Sequence, residues 1–340
     1  MKKLSAAMLT ASAMAVASTA MPAQAGELLD TIIERDELIC GVNTGLAGFG
    51  IADSQGNWTG FDVEYCRAVA SVILGDSSKV SFVPLSSVQR FPALQAGEVD
   101  ILSRNTTWTL TRDASLGSTF AGVWFYDGQG FMVRAEDGIE TLEDMNGASV
   151  CVESGTTTEL NLADVFAARG IEYEPVLFEA LQEVLTAFFE GRCDVYTTDA
   201  SALAAVRTAN APNPDDYAIL PDLISKEPLG PMLRRGDDEF YAIARWVLFA
   251  FLEAEEKGVT MANVEDMRAN SSDPTVQRLL GASGEMGSLL GVDNDWAYNI
   301  IAEFGNYGEM YERNITPLGL PRGLNALWTD GGIQYAPPVR

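Results

Sequence analysis

The chain has 340 residues, with 22 basic and 48 acidic side chains for a formal net charge of −26, and no histidine. The lack of imidazole excludes Ser-His-Asp and Cys-His nucleophiles, histidine metal ligands and imidazole acid–base chemistry. The negative surface repels nucleic acid and anionic lipid, and the length suits two cores rather than one.

Residues 1–25 read as a secretory signal. Lys2 and Lys3 begin it, a small apolar run follows, and Ala23-Gln24-Ala25 supplies an A-x-A cleavage site after Ala25. Ser5, Thr10, Ser12, Ser18 and Thr19 dilute the run, so it makes a poor permanent membrane helix. Gly26 stands where a lipoprotein would carry cysteine. The expected product is an exported, periplasmic chain from Gly26 onward with no direct membrane insertion.

Beyond the signal, strand and helix patterns alternate: strand 38–42, helix 61–74, strand 80–83, helix 88–96 and strand 99–103. This β-α-β-α-β order predicts a parallel sheet. Then come a connecting strand 130–134, strand 148–152, helix 157–169, strand 176–178, helix 180–190 and strand 194–198. Leu181, Val184, Leu185, Phe188 and Phe189 give helix 180–190 one apolar face. A return strand, 224–233, is interrupted by Pro228 and Pro231, and a long apolar helix follows at 238–256. The remainder, 258–340, is irregular and rich in Gly and Asn. The expected division is a first lobe at 26–133, a second at 134–228, a return to the first at 229–257, and a C-terminal extension, 258–340, packed on the lobes.

The four cysteines lie at Cys40, Cys66, Cys151 and Cys193. An even number in an exported chain invites disulfides, and no C-x-x-C suggests zinc or redox chemistry. Of three possible connectivities, Cys40–Cys66 and Cys151–Cys193 keep each bridge between neighbouring elements of one lobe and leave a hinge free.

The segment 100–112, DILSRNTTWTLTR, is the clearest chemical signal. A short buried strand runs into hydroxyls and amides and ends in Arg112, whose planar fork of donors suits a small carboxylate. Loops at the carboxyl ends of strands in open α/β sheets are where ligands bind.

These segments resemble the periplasmic amino-acid-binding proteins of ABC importers, the family-3 solute-binding proteins. The similarity is greatest to the branch for general and polar L-amino acids such as glutamate, glutamine, aspartate and asparagine. It is carried by 38–49 (LICGVNTGLAGF), 60–66 (GFDVEYC), 100–112, 126–131 (YDGQGF), 153–160 (ESGTTTEL), 193–199 (CDVYTTD), 225–231 (SKEPLGP) and 322–328 (RGLNALW). The resemblance implies a type II periplasmic-binding-protein fold, two α/β lobes joined by a hinge with the ligand in the cleft. It also implies a monomer without cofactor or metal that takes a free L-amino acid and hands it to ABC permease subunits.

Carried over residue by residue, Arg112 would clamp the ligand α-carboxylate, with Thr107 and Asn105 beside it. Thr157 would donate to the same carboxylate from the second lobe, where a helix start favours an anion. Asp199 would hold the α-ammonium. Arg90 and Ser87 match residues that reach a side-chain carboxylate, and Arg104 is a further cation. Phe49 would be an apolar wall; Trp108, in the middle of the motif, is either an aromatic wall or a packed core residue. Leu46 and Asn43 stand where receptors for basic amino acids carry an aromatic and an acid, which argues against a lysine, arginine or histidine receptor. A dehydratase-like enzyme or a sensor domain on the same fold is the alternative.

Overall fold

The computed structural model describes residues 26–340, so the expected signal and its cleavage site lie outside the described residues. Two five-stranded sheets organise the chain. In the first, the spatial order is Val80–Pro84, Leu38–Val42, Ile101–Leu102, Met232–Arg234, Ser118–Phe120. The first three strands run parallel and the last two pair antiparallel. The second sheet repeats this plan as Tyr173–Phe178, Ala148–Glu153, Val195–Asp199, Gln129–Arg134, Tyr217–Ile219, again with three parallel strands and two antiparallel partners. Two sheet-containing lobes built this way are the type II periplasmic-binding-protein fold.

Two expected elements differ. The strand read as a connector, Gln129–Arg134, belongs to the second sheet, where it pairs with Val195–Asp199 over its whole partner strand. The passage between sheets is instead a separate antiparallel pair, Phe125–Asp127 with Glu227–Leu229. The single return strand is two, Glu227–Leu229 and Met232–Arg234. Gly230 separates them, and a Cβ there would lie 1.9 Å from Gly122 O, so close backbone approach reserves the position for glycine.

Each lobe has one disulfide, Cys40–Cys66 tying a strand to the helix Phe61–Leu74, and Cys151–Cys193 bridging the second sheet. They enclose separations of 26 and 42 residues, which the chain-entropy account values at about 3.5–4 kcal/mol each. Helix Asp238–Glu256, expected to be buried, packs on Phe61–Leu74; beyond 258, helix Trp296–Phe304 lies against the same helix, and the turn Thr316–Leu318 reaches Ala200–Ala209 of the second lobe. An aromatic cluster seals that seam: Trp124 stacks on Phe61 at 4.5 Å and meets Tyr307 edge-on at 5.1 Å. No helix among the described residues is long and apolar enough to cross a membrane.

Candidate functional site

The parallel strands of both sheets point their carboxyl ends at one another, and the loops after them enclose a cavity of about 40 Å³. From the first lobe it is lined by Asn43, Leu46, Ser87, Arg90, Arg104, Asn105 and Thr107. From the second come Glu153, Thr156–Thr158, Leu181, Tyr196, Thr198, Asp199 and Ala202. The lobes touch directly across it. Ser87 Oγ donates to Glu153 Oε2 at 2.8 Å, and the hydroxyls of Thr107 and Thr157 lie 3.3 Å apart. Thr157 gives its one proton to Glu227 Oε2 at 2.9 Å, so Thr107 is the donor of the Thr107–Thr157 bond.

The loop after Ile101–Leu102 delivers the first-lobe polar groups. Its turn needs Asn105 at φ 42°, a left-handed conformation that asparagine tolerates. Both polar atoms of the Asn105 side chain are buried without a partner. Arg104 Nε donates to Leu85 O at 2.7 Å and Nη2 to Ser87 Oγ at 3.3 Å. Arg90 makes only a long bond to Asn105 O, 3.4 Å, and its Nε has no partner. Burial lowers the pKa of both guanidiniums, and the Arg104 charge lowers that of Arg90 further.

Arg112 starts from a helix that Thr109 caps, Thr109 Oγ1 accepting from Arg112 N. Its guanidinium donates to Thr107 O at 3.0 Å and lies 5.0 Å over the Phe91 ring. It therefore stands behind Thr107 rather than in the cavity wall. Desolvation brings its pKa down to about 10, against the pull of Glu227 and Asp199. The nearby acid Asp113 is engaged by Arg235 instead.

On the second lobe, Glu153 ends a strand, Gly155 turns the chain at φ +73°, and Thr156 caps the helix Thr157–Arg169 by accepting from Glu159 N. Thr157 is thus the first helical residue, and the cap is its neighbour. Asp199 ends its strand and precedes the helix Ala200–Ala209, yet its side chain makes no cap bond. That work falls to Asp127, whose carboxylate accepts from the Ser201 hydroxyl and from Ser201 N. Asp199 is left buried and free to face the cavity. Burial, Asp127 and Glu227 together raise its pKa well above the usual carboxylate range; burial likewise raises Asp127 to about 6.

Of the residues expected at the site, Ser87, Arg90, Arg104, Asn105, Thr107, Thr157 and Asp199 line one cavity, with Arg112 directly behind. Phe49, expected as a wall, does not, and Trp108 takes the core alternative. Phe49 is in the core, edge-on to Phe125 at 5.4 Å, and Leu46 takes the wall position. Trp108 stacks on Phe120 at 5.4 Å within the first lobe. Several participants were missed: Leu181, Thr198 and Ala202 line the cavity, and three more carry polar groups of consequence, Glu153, Glu227 and Tyr196. Glu153 and Glu227 sit in segments that carry the family resemblance, but acids are too common in this chain to stand out. Tyr196 lines the cavity with its hydroxyl buried and unpartnered; an alternating strand pattern gives no sign of which face a tyrosine serves.

A cavity enclosed by two lobes, with buried polar groups aimed into it from both, defines a two-lobed solute receptor. The pattern of the bacterial extracellular solute-binding proteins, family 3, matches residues 38–260, and the chain belongs to that family. It is 52% identical to the general L-amino acid-binding periplasmic protein AapJ of Rhizobium johnstonii, over 99% of both chains. It is 50% identical to the glutamate/glutamine/aspartate/asparagine-binding protein BztA of Rhodobacter capsulatus, over 96% of this chain and 97% of that one. Among solved structures, it resembles a periplasmic binding protein from Brucella ovis with glutathione bound, at 54% identity and a TM-score of 0.89, covering 92% of this chain and 99% of that one.

Proposed function

We propose that the chain is the periplasmic substrate-binding component of an ABC importer for L-amino acids, broad in range and favouring acidic and amide side chains. One observation carries the reading. Arg90, Arg104, Arg112, Asp199, Glu153 and Glu227 are gathered at the junction of the lobes, yet none forms an ion pair among the described residues. All but the half-buried Glu153 are buried, and buried charge without a direct counter-charge is costly unless a ligand completes it. A zwitterion does so: its carboxylate answers Arg112, Thr107 and Thr157, its ammonium answers Asp199, and Arg90, Arg104 and Ser87 remain for the side chain. Binding both lobes at once favours the closed arrangement by the difference in contacts between the two states.

In this reading the lobes turn about the paired strands Phe125–Asp127 and Glu227–Leu229, the region beyond 258 is an extension of the first lobe, and the mature monomer begins at Gly26. The chain performs no chemistry; Asp199 serves as ammonium partner rather than as general acid or base. The names of AapJ and BztA support the amino-acid class. Glutathione, bound in the Brucella relative, carries the same α-amino acid end and belongs among the ligands tested.

A thermal-shift screen of the twenty amino acids and glutathione is expected to give its largest shifts with glutamate, glutamine, aspartate and asparagine; no shift with any would end the reading. Arg112→Ala removes charge-assisted bonds of about 1.5–3 kcal/mol each. Calorimetry should show at least about tenfold weaker binding of every amino acid. A loss confined to one side-chain class would instead place Arg112 at the side chain.

A further inference from the structure

The side-chain end of the cavity contains an acid as well as two cations. Glu153 ends the strand Ala148–Glu153, lines the cavity, and accepts a hydrogen bond from Ser87 Oγ across the lobe junction. Ser87 also accepts from Arg104 Nη2, so a continuous path runs Arg104 to Ser87 to Glu153. Arg90 lines the same wall with an unpartnered Nε. This end thus presents guanidinium donors on one side and a carboxylate acceptor on the other.

That combination has a chemical consequence. A ligand carboxylate offers only acceptors, which arginines and a serine hydroxyl satisfy alone; a nearby glutamate repels it. A carboxamide offers an oxygen acceptor and an NH₂ with two donors. The arginines can serve the oxygen, but they cannot serve the NH₂, and a buried donor left unpaired costs as much as a lost bond. Among the cavity-lining residues on that wall, Glu153 is the acidic acceptor. It also offsets part of the positive charge of the two arginines without pairing with either, so a neutral side chain is penalised less for failing to neutralise them.

We propose that Glu153 is the specificity-determining residue that admits side-chain amides to a pocket otherwise built for side-chain carboxylates. The inference rests on the amino-acid reading above. Glu153 acts as acceptor for the ligand amide NH₂, and it turns wholly onto Ser87 and the arginines when the ligand is acidic.

The test is titration calorimetry of the full exported chain with L-glutamine and L-glutamate, comparing wild type with E153Q, E153A and S87A. In E153A, glutamine binding is expected to weaken at least tenfold while glutamate binding holds or tightens, so that the glutamate/glutamine affinity ratio rises tenfold or more. E153Q, which keeps an acceptor but loses the charge, should shift the ratio in the same direction by less. S87A removes the bond between the lobes and one donor to a side-chain carboxylate but keeps the acid, so both ligands should weaken and the glutamate/glutamine ratio should hold or fall, never rise. An unchanged ratio in both Glu153 variants overturns the proposal, as does equal loss of both ligands, which would make Glu153 a pin between lobes. A ratio shift reproduced by S87A overturns it too. Wild type that binds neither ligand ends the amino-acid reading itself, a result distinct from any of these.

Discussion

Asp62 shows how one carboxylate beneath the site shapes the stability of the whole. It sits in the first turn of the helix Phe61–Leu74, fully buried, accepting from Ser103 Oγ at 2.9 Å while its Oδ2 has no partner. Desolvation raises its pKa to about 6, partly offset by Ser103, the backbone N–H of Asn105 and Arg104. A folded pKa above the unfolded one favours the folded state at low pH. That contribution is complete below about 4, and it is lost as pH rises through about 6. The shift corresponds to about 3 kcal/mol. Asp62→Asn removes the titration, so between pH 4 and pH 7.5 the wild type should lose about 2–2.5 kcal/mol of that relative to the variant in denaturant unfolding. Parallel pH curves would refute the assignment. The cationic and hydroxyl residues of the site were legible in the sequence mainly through the family resemblance; by itself an arginine after a buried strand and a run of threonines also suits a polar surface loop. The wall was not. Phe49 and Leu46 are both apolar and three residues apart, and only packing decides that one joins Phe125 and the other the cavity. Glu153 and Glu227 were hidden by the abundance of acids.

At the scale of elements, strands and helices with a full period were readable, and those too short to show one were not. Ser118–Phe120 and Phe125–Asp127 have three residues each, and their places are set by partners more than a hundred residues away. The junction of strand, turn and helix at 153–157 was readable as a helix start that offers Thr157 to the ligand, but its direct contacts with the first lobe were not. Gly155 has φ +73°, and a Cβ there would meet Val88 Cγ1 of the first lobe at 3.1 Å. Gly191, in the same lobe, has φ +79° with nothing within 4 Å. Alanine at either position suffers a backbone penalty on the order of 1–2 kcal/mol. Only Gly155→Ala also obstructs the approach of the lobes. Both variants should therefore lose similar stability in chemical denaturation, while Gly155→Ala alone weakens ligand binding several-fold. Equal affinities for the two variants would mean that closure does not depend on this contact.

For the molecule as a whole, the question is what fixes the crossing between lobes, since two three-residue strands hold little on their own. The extension beyond 258 supplies the answer. Asn325 is buried, and its amide clasps Tyr126 at both ends, Oδ1 accepting from Tyr126 N at 2.7 Å and Nδ2 donating to Tyr126 O at 3.0 Å. Arg322 donates to Asn325 O and to Glu255 of the long first-lobe helix, and it lies over the rings of Tyr307 and Tyr311. Tyr307 Oη and Gln334 Nε2 both donate to Trp124 O, one residue before the crossing strand. The turn Thr316–Leu318 reaches the second-lobe helix Ala200–Ala209. The extension therefore grips one crossing strand along an edge that Glu227–Leu229 does not cover, and anchors it to the first lobe. Asn325→Ala leaves the Tyr126 N–H and C=O unpaired, a cost of about 1–3 kcal/mol. Hydrogen exchange should show the Tyr126 amide losing protection while Ile101 and Leu102, in the sheet of the same lobe, keep theirs. Unfolding free energy should fall by the same amount. If protection at Tyr126 is unchanged, the crossing strand is held by its pairing with Glu227–Leu229 alone; if it falls together with that of the first sheet, the extension supports the lobe and not the hinge.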